Sequence, residues 1–255
     1  MKKIAVMLVV CLFACAVPAQ AAFTLRLTDN RLVLENEGKA MPLSVEDFPV
    51  DAVKDAAGKP LPGLRYCGIG VDSGKAHGIA PGLYLFDAHG RNVAFGSTDA
   101  AEFCSEVRLS PGKTVLAMDS GTWLVRSWFF FSYPDMKPIG EVGYYQAEGK
   151  PALLWEVDAG VYFSSRETMG HKRTCNYDPC EPISVRAYSF KTGKDKTVLA
   201  GTDLCDFTLT GFSPERGVVE ADKLCLPAVK AWKEYQYLQN APVEHITVKS
   251  AVFEQ

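Results

Sequence analysis

Two carboxylates carry the strongest hint of chemistry in this sequence. Asp72-Ser73-Gly74 and Asp119-Ser120-Gly121 repeat one tripeptide, and each follows an apolar run. Two aspartates held face to face share one proton, so that one acts as base and the other as acid on a bound water. On that reading Asp72 and Asp119 are the acid and base of a secreted hydrolase. A plainer reading accounts for more of the chain. Asp158-Ala159-Gly160 has the same Asp-x-Gly spacing, and Asp222 closes another apolar run. Aspartate bonds its own backbone and glycine takes positive φ, so the tripeptide is expected wherever a strand gives way to a turn.

Other chemistries find less footing. No Gly-x-Ser-x-Gly elbow is present, and His77, His89, His171 and His245 lack the spacing of a metal pair on a helix. No glycine-rich phosphate loop or calcium loop appears, so neither a cofactor nor a metal is expected. Trp123, Trp128, Phe129, Phe130, Phe131 and Tyr133 offer a sugar-stacking platform, but such a run more often marks a strand buried on both faces. The polar loop from Arg166 to Pro182 is the better binding candidate. It is long and mixed in charge, and Arg166, His171, Lys172, Arg173 and Tyr177 are its expected contact residues.

The first residues bear on compartment. Lys2 and Lys3 precede an apolar run from Ile4 to Val17, and Ala19-Gln20-Ala21 is a small-x-small cleavage site. Residues 1–21 therefore read as a signal peptide cleaved after Ala21, leaving 22–255 as one domain in the periplasm or outside the cell. The rival is a lipoprotein anchored at Cys15, after Leu12-Phe13-Ala14. No later stretch is apolar enough for an integral membrane span. Of eight cysteines, Cys11 and Cys15 fall in the leader, leaving Cys67, Cys104, Cys175, Cys180, Cys205 and Cys225. In an oxidising compartment these read as three disulfides, with nearest-neighbour pairing (67–104, 175–180, 205–225) the simplest of the 15 pairings. Zinc at His171, Cys175 and Cys180 is the lesser alternative. The net charge is −3 with no large basic cluster, so nucleic acid is a poor partner.

The elements that would position these residues follow from a repeat. Residues 85–119 and 188–222 superpose without a gap: Gly90 falls on Gly193, Ser110-Pro111 on Ser213-Pro214, Val115 on Val218, and Asp119 on Asp222. Around the repeat, short alternating runs separated by turn residues predict strands, beginning with a hairpin at Phe23–Asn36. Residues 36–64 read as irregular connection with one possible strand near Leu43–Val45. Gly68–Gly74 reads as a short strand and a turn. After Pro227, Ala228, Ala231, Trp232, Tyr235 and Leu238 recur at helical spacing, and Val243–Phe253 resumes alternation as a closing strand. Pairing of that strand with the N-terminal hairpin would shut the sheet array.

Phe212-Ser213-Pro214-Glu215-Arg216-Gly217-Val218-Val219, with the looser Leu109-Ser110-Pro111-Gly112-Lys113-Thr114-Val115-Leu116, resembles the repeat of WD40-like and TolB-type β-propellers. The resemblance implies an all-β chain of antiparallel meanders, as about four blades or an incomplete propeller, with one amphipathic helix near the C-terminus. A β-sandwich is the alternative. The stretch Val115–Val125 resembles the catalytic loop of pepsin-like aspartic proteases, whose lobes need more chain than separates Asp72 from Asp119. The preferred function is a non-catalytic exported scaffold that binds a protein or cell-envelope component through its loops.

Overall fold

The computed structural model describes residues 23–36, 38–122, 126–166, 174–175, 178–179, 181–225 and 242–250. Its strands fall into five successive antiparallel meanders. The first comprises β1 (Thr24–Thr28), β2 (Arg31–Asn36) and β3 (Lys39–Pro42). The second is β4 (Val50–Lys54), β5 (Pro60–Ile69), β6 (Gly82–Phe86) and β7 (Asn92–Ser97). The third is β8 (Cys104–Leu109), β9 (Val115–Gly121), β10 (Arg126–Ser132) and β11 (Pro138–Tyr144). One parallel bridge, Lys54 to Arg108, joins the leading strands of the second and third units into one eight-stranded sheet. The fourth holds β12 (Leu154–Glu156), β13 (Gly160–Arg166), β16 (Ile183–Ser189) and β17 (Lys194–Leu199). A two-stranded insert, β14 (Thr174–Cys175) and β15 (Asp178–Pro179), interrupts it. The fifth is β18 (Cys205–Ser213), β19 (Val218–Cys225) and β20 (Val243–Lys249).

Alternation of side chains decides how these units stack. On β9, Leu116 and Met118 enter a core shared with the second unit, whereas Val115 and Ala117 enter one shared with the fourth. On β6, Leu83 and Leu85 face the third unit and Tyr84 and Phe86 face the first. On β13, Val161 and Phe163 face the third unit and Tyr162 the fifth. Each middle unit is thus buried on both sides, because successive strand residues point to opposite faces. The aromatic run on β10 obeys the same rule, with Trp128 and Phe130 in one core and Phe131 in the other. The architecture is all-β and propeller-like, with three four-stranded and two three-stranded units among the described residues.

The superposed segments are the same module built twice. Segment 85–119 runs through β6, β7, β8 and β9, and segment 188–222 through β16, β17, β18 and β19. Ser110-Pro111 and Ser213-Pro214 each begin the turn between the first two strands of a unit, and Asp119 and Asp222 are both buried on the strand that follows.

Three expectations are corrected. The closing strand does not meet the N-terminal hairpin: β20 pairs with β19 along its whole length, from Val218 opposite Lys249 to Leu224 opposite Val243. Among the described residues four hydrophobic cores join neighbouring units and none joins the fifth unit to the first. Residues 36–64 are not irregular but carry β3, β4 and the first half of β5. Their strands lie largely exposed, which hides the alternation, and the Asp55–Gly58 turn between β4 and β5 is fixed by Asp55 Oδ1 accepting from Ala57 and Lys59 N–H. Finally, Val71–His77 is a helix, α1, not a turn. Gly78 in the left-handed conformation caps it, donating to the carbonyls of Gly74 and Lys75. The helix read at 227–240 lies outside the described residues, as does Trp123.

Candidate functional site

A cavity of about 390 Å³ opens where connecting segments of the second and third units meet. Its walls include Asp47, Pro49, Asp51, Tyr66, Ser73, Glu102, Cys104 and Ser105. A one-turn 3₁₀ helix, Asp99–Phe103, supplies Glu102. Thr98 caps it by accepting from Ala100 N–H, and Ser120 Oγ donates to the Ala100 carbonyl from beneath. Gly68 allows this helix to lie against the end of β5, since a Cβ there would sit 2.2 Å from the Ala101 carbonyl oxygen.

Tyr66 and Asp51 are direct partners across the β4–β5 ladder. The Tyr66 ring is part of the core between the second and third units, at 4% exposure, while its tip reaches the cavity. Burial foremost, then the neighbouring Cys104, Asp51, Glu106 and Asp119, pushes its hydroxyl well above the ordinary tyrosine range. It is therefore a neutral hydroxyl at any physiological pH.

Behind the cavity lies a polar network. Asp119 is 5% exposed and pairs with Arg126 on the next strand. Ser105 Oγ donates to Asp119 Oδ2 at 2.8 Å and Tyr144 donates to Oδ1 at 3.0 Å. Arg126 Nε also donates to the Tyr144 oxygen at 2.9 Å. Glu106, one strand residue further on, accepts from Lys54 at 2.9 Å and twice from Arg108 at 3.0 Å. Burial pushes the Glu106 carboxyl up, yet those two cations hold it below the ordinary carboxylate range. Asp222, the repeat counterpart of Asp119, likewise pairs with a cation, Lys150, and lies against the His245 ring.

The candidate acid and base have different surroundings. Asp72 lies exposed in the first turn of α1, and Asp119 is engaged by Ser105, Arg126 and Tyr144; no hydrogen bond among the described residues joins them. Arg166 ends β13 with its guanidinium over the Tyr145 ring at 4.9 Å. His171, Lys172, Arg173, Tyr177 and Cys180 lie outside the described residues, and of Cys175 only the strand is described. The Cys205–Cys225 disulfide is formed, bridging directly opposed residues of β18 and β19. The 67–104 pairing is not: both thiols are free. Alternation explains it, since Cys67 faces the core shared with the first unit and Cys104 the core shared with the third. Their sulfurs turn to the carbonyls of Gly68 and Glu106 instead. Burial pushes the Cys67 thiol up to about 12. Among the described residues no three His, Cys, Asp or Glu side chains are placed to hold a metal ion.

Asp47, Asp51, Tyr66, Glu102 and Ser105 were not singled out by sequence. They come from a loop, three strands and a 3₁₀ turn, with no motif to link them.

No protein-family model matches the sequence, and no curated protein matches it. Among solved structures, the chain is similar to the β-propeller domain of the Trilobed protease from Pyrococcus furiosus, at 9% identity and TM-score 0.42, covering 83% of this chain and 61% of that one. It is also similar to TolB from Acinetobacter baumannii, at 11% identity and TM-score 0.34, over 76% of this chain and 46% of that one. Hydrazine synthase of Kuenenia stuttgartiensis follows at 12% identity and TM-score 0.40, over 89% and 71%. The chain thus spans about half to three-fifths of the first two structures.

Proposed function

We propose that this protein is a non-catalytic exported binding protein, recognising a protein or cell-envelope component through segments that connect the strands of a propeller-like scaffold. The observation that carries this reading is the cavity built from residues 47–51, 66–73 and 101–105. Concave sites formed by connections over rigid sheets are where ligands concentrate. Its rim carboxylates, unlike Asp119 and Glu106, are in no ion pair among the described residues. The loop after Arg166, with His171, Lys172, Arg173 and Tyr177, would form a second part of the recognition surface.

Export through a leader at 1–21 places the protein in the periplasm or outside the cell, and the Cys205–Cys225 disulfide supports an oxidising compartment. Retention by a lipid at Cys15 is the variant of that location. No helix among the described residues is long and apolar enough to cross a membrane. The hydrolase alternative draws no support from an exposed helical Asp72 and an ion-paired Asp119.

The test is photo-crosslinking in envelope extract from a benzophenone placed at Phe103, which is 53% exposed beside the cavity. A discrete partner captured by the intact rim and lost with Asp51→Asn/Glu102→Gln is expected. Hydrolysis of a protein substrate by the pure protein, abolished in Asp72→Asn and in Asp119→Asn alike, would overturn the reading.

A further inference from the structure

Three carboxylates at the cavity rim have no cation. Asp47 and Glu102 have no hydrogen-bond or ion-pair partner among the described residues, and Asp51 uses Oδ1 to accept from Ala52 N–H, leaving Oδ2 open. The two neighbouring acids are already neutralised, Glu106 by Lys54 and Arg108 and Asp119 by Arg126. The uncompensated negative charge around the cavity therefore comes from Asp47, Asp51 and Glu102. At its inner wall sits Tyr66, 4% exposed as a whole, whose hydroxyl has no hydrogen-bond partner among the described residues and keeps some accessible surface at the cavity. A tyrosine whose ring is buried ordinarily finds a partner for its hydroxyl, so an unpaired one open only at a cavity is a place for a ligand atom.

The donor set also says what size of cation fits. A bare metal ion needs several ligands at about 2–2.6 Å from one point, and no three acidic side chains converge so closely here. An ammonium group has three donors that radiate over a wider volume. Pro49 and Ala101 add apolar wall alongside the carboxylates, suited to a methylene stem.

Resting on the binding role proposed above, we propose that this cavity binds a primary alkylammonium group, with the Asp51 and Glu102 carboxylates and the Tyr66 hydroxyl as acceptors. The group comes either from a free diamine or from a lysine side chain of a partner. Burial keeps Tyr66 and Cys104 uncharged, so both line the site as neutral groups and the attraction comes from the rim. The rim carboxylates are solvent-exposed, so the attraction is screened and binding falls with salt.

The test is calorimetric titration of the full folded chain at low ionic strength. The probes are 1,5-diaminopentane, the blocked tripeptide acetyl-Gly-Lys-Gly-amide, and glutarate as an anion of similar length. At least one ammonium probe is expected to bind and glutarate not. Binding should weaken about tenfold in Asp51→Asn/Glu102→Gln, equivalent to losing about 1.4 kcal/mol, and several-fold in Tyr66→Phe. Both rim positions are exposed, so the double variant should keep its thermal midpoint; Glu102→Gln alone is the reserve variant should it not. Binding of the diamine alone assigns a free amine, and of the peptide alone a partner lysine. Absence of binding by both ammonium probes, or equal binding by the double variant, overturns the ammonium site. The crosslinking experiment is read separately: a captured partner that survives such a result leaves the scaffold role standing and removes only the ligand.

Discussion

Replacing Asp119 with asparagine separates a structural carboxylate from a catalytic one. The side chain is 7% exposed and Arg126 28%, and the pair is reinforced by Ser105 and Tyr144. Removing one partner of a buried, hydrogen-bonded ion pair costs about 3–5 kcal/mol because the other charge is left uncompensated. Arg126 keeps some contact with water, and asparagine retains one acceptor, so about 2–3 kcal/mol is the appropriate figure. For a domain of this length that lowers the thermal midpoint by roughly 5–10 °C. Urea unfolding of Asp119→Asn, Arg126→Met and the double variant forms a cycle that isolates the pair. The double variant should be less destabilised than the sum of the two single changes, because each single change leaves a lone charge behind and the double change leaves none. Asp119→Asn within about 0.5 kcal/mol of the parent, or strict additivity in the cycle, would refute the reasoning.

Gly90 has φ +72°, and a Cβ there would lie 1.8 Å from the Leu27 carbonyl oxygen, where the first unit docks through the Leu27 N–H to Gly90 O bond. Gly90→Ala should cost at least about 1–3 kcal/mol and raise amide exchange across residues 24–36 first. Reduction of the Cys205–Cys225 bridge, or its replacement by two serines, should cost about 3 kcal/mol for a loop of this length. Alkylation in denaturant should label Cys67 and Cys104 but not Cys205 or Cys225, checked by mass spectrometry of peptides. The folded Glu106 carboxyl titrates below its unfolded value of about 4.3, so its stabilisation is fully present above that value and is lost as pH falls through the folded value. Glu106→Gln should accordingly flatten the acid limb of the stability profile while lowering the plateau at neutral pH.

Much of the scaffold was legible because its signals are local. Alternation on β6, β9, β10 and β13 is visible whenever a strand has apolar residues on both faces, and the Ser-Pro turns punctuate it. Signals failed where exposure or helix caps intervened. Lys39–Pro42 is exposed throughout and shows no pattern, and Val71–His77 has only seven residues, too few for a helical period to emerge. The cysteine spacing favoured a 67–104 bridge because sequence distance says nothing about sheet face. The cavity was illegible for a related reason: Asp51 meets Tyr66 through ladder register, and Glu102 arrives by way of a turn seated on Gly68.

Successive cores link each unit only to its neighbours, while the two outermost sheets share none among the described residues. A closed rotor fixes the wedge angle of every member, so its number of members cannot change singly. Units joined only through neighbouring cores, as the described ones are, carry no such constraint: a unit gained or lost at an extremity disturbs one junction, and the angles elsewhere stand. Loss of order should therefore begin at the two extremities and travel inward, leaving the inner units, and the cavity between the second and third members, among the last parts to melt.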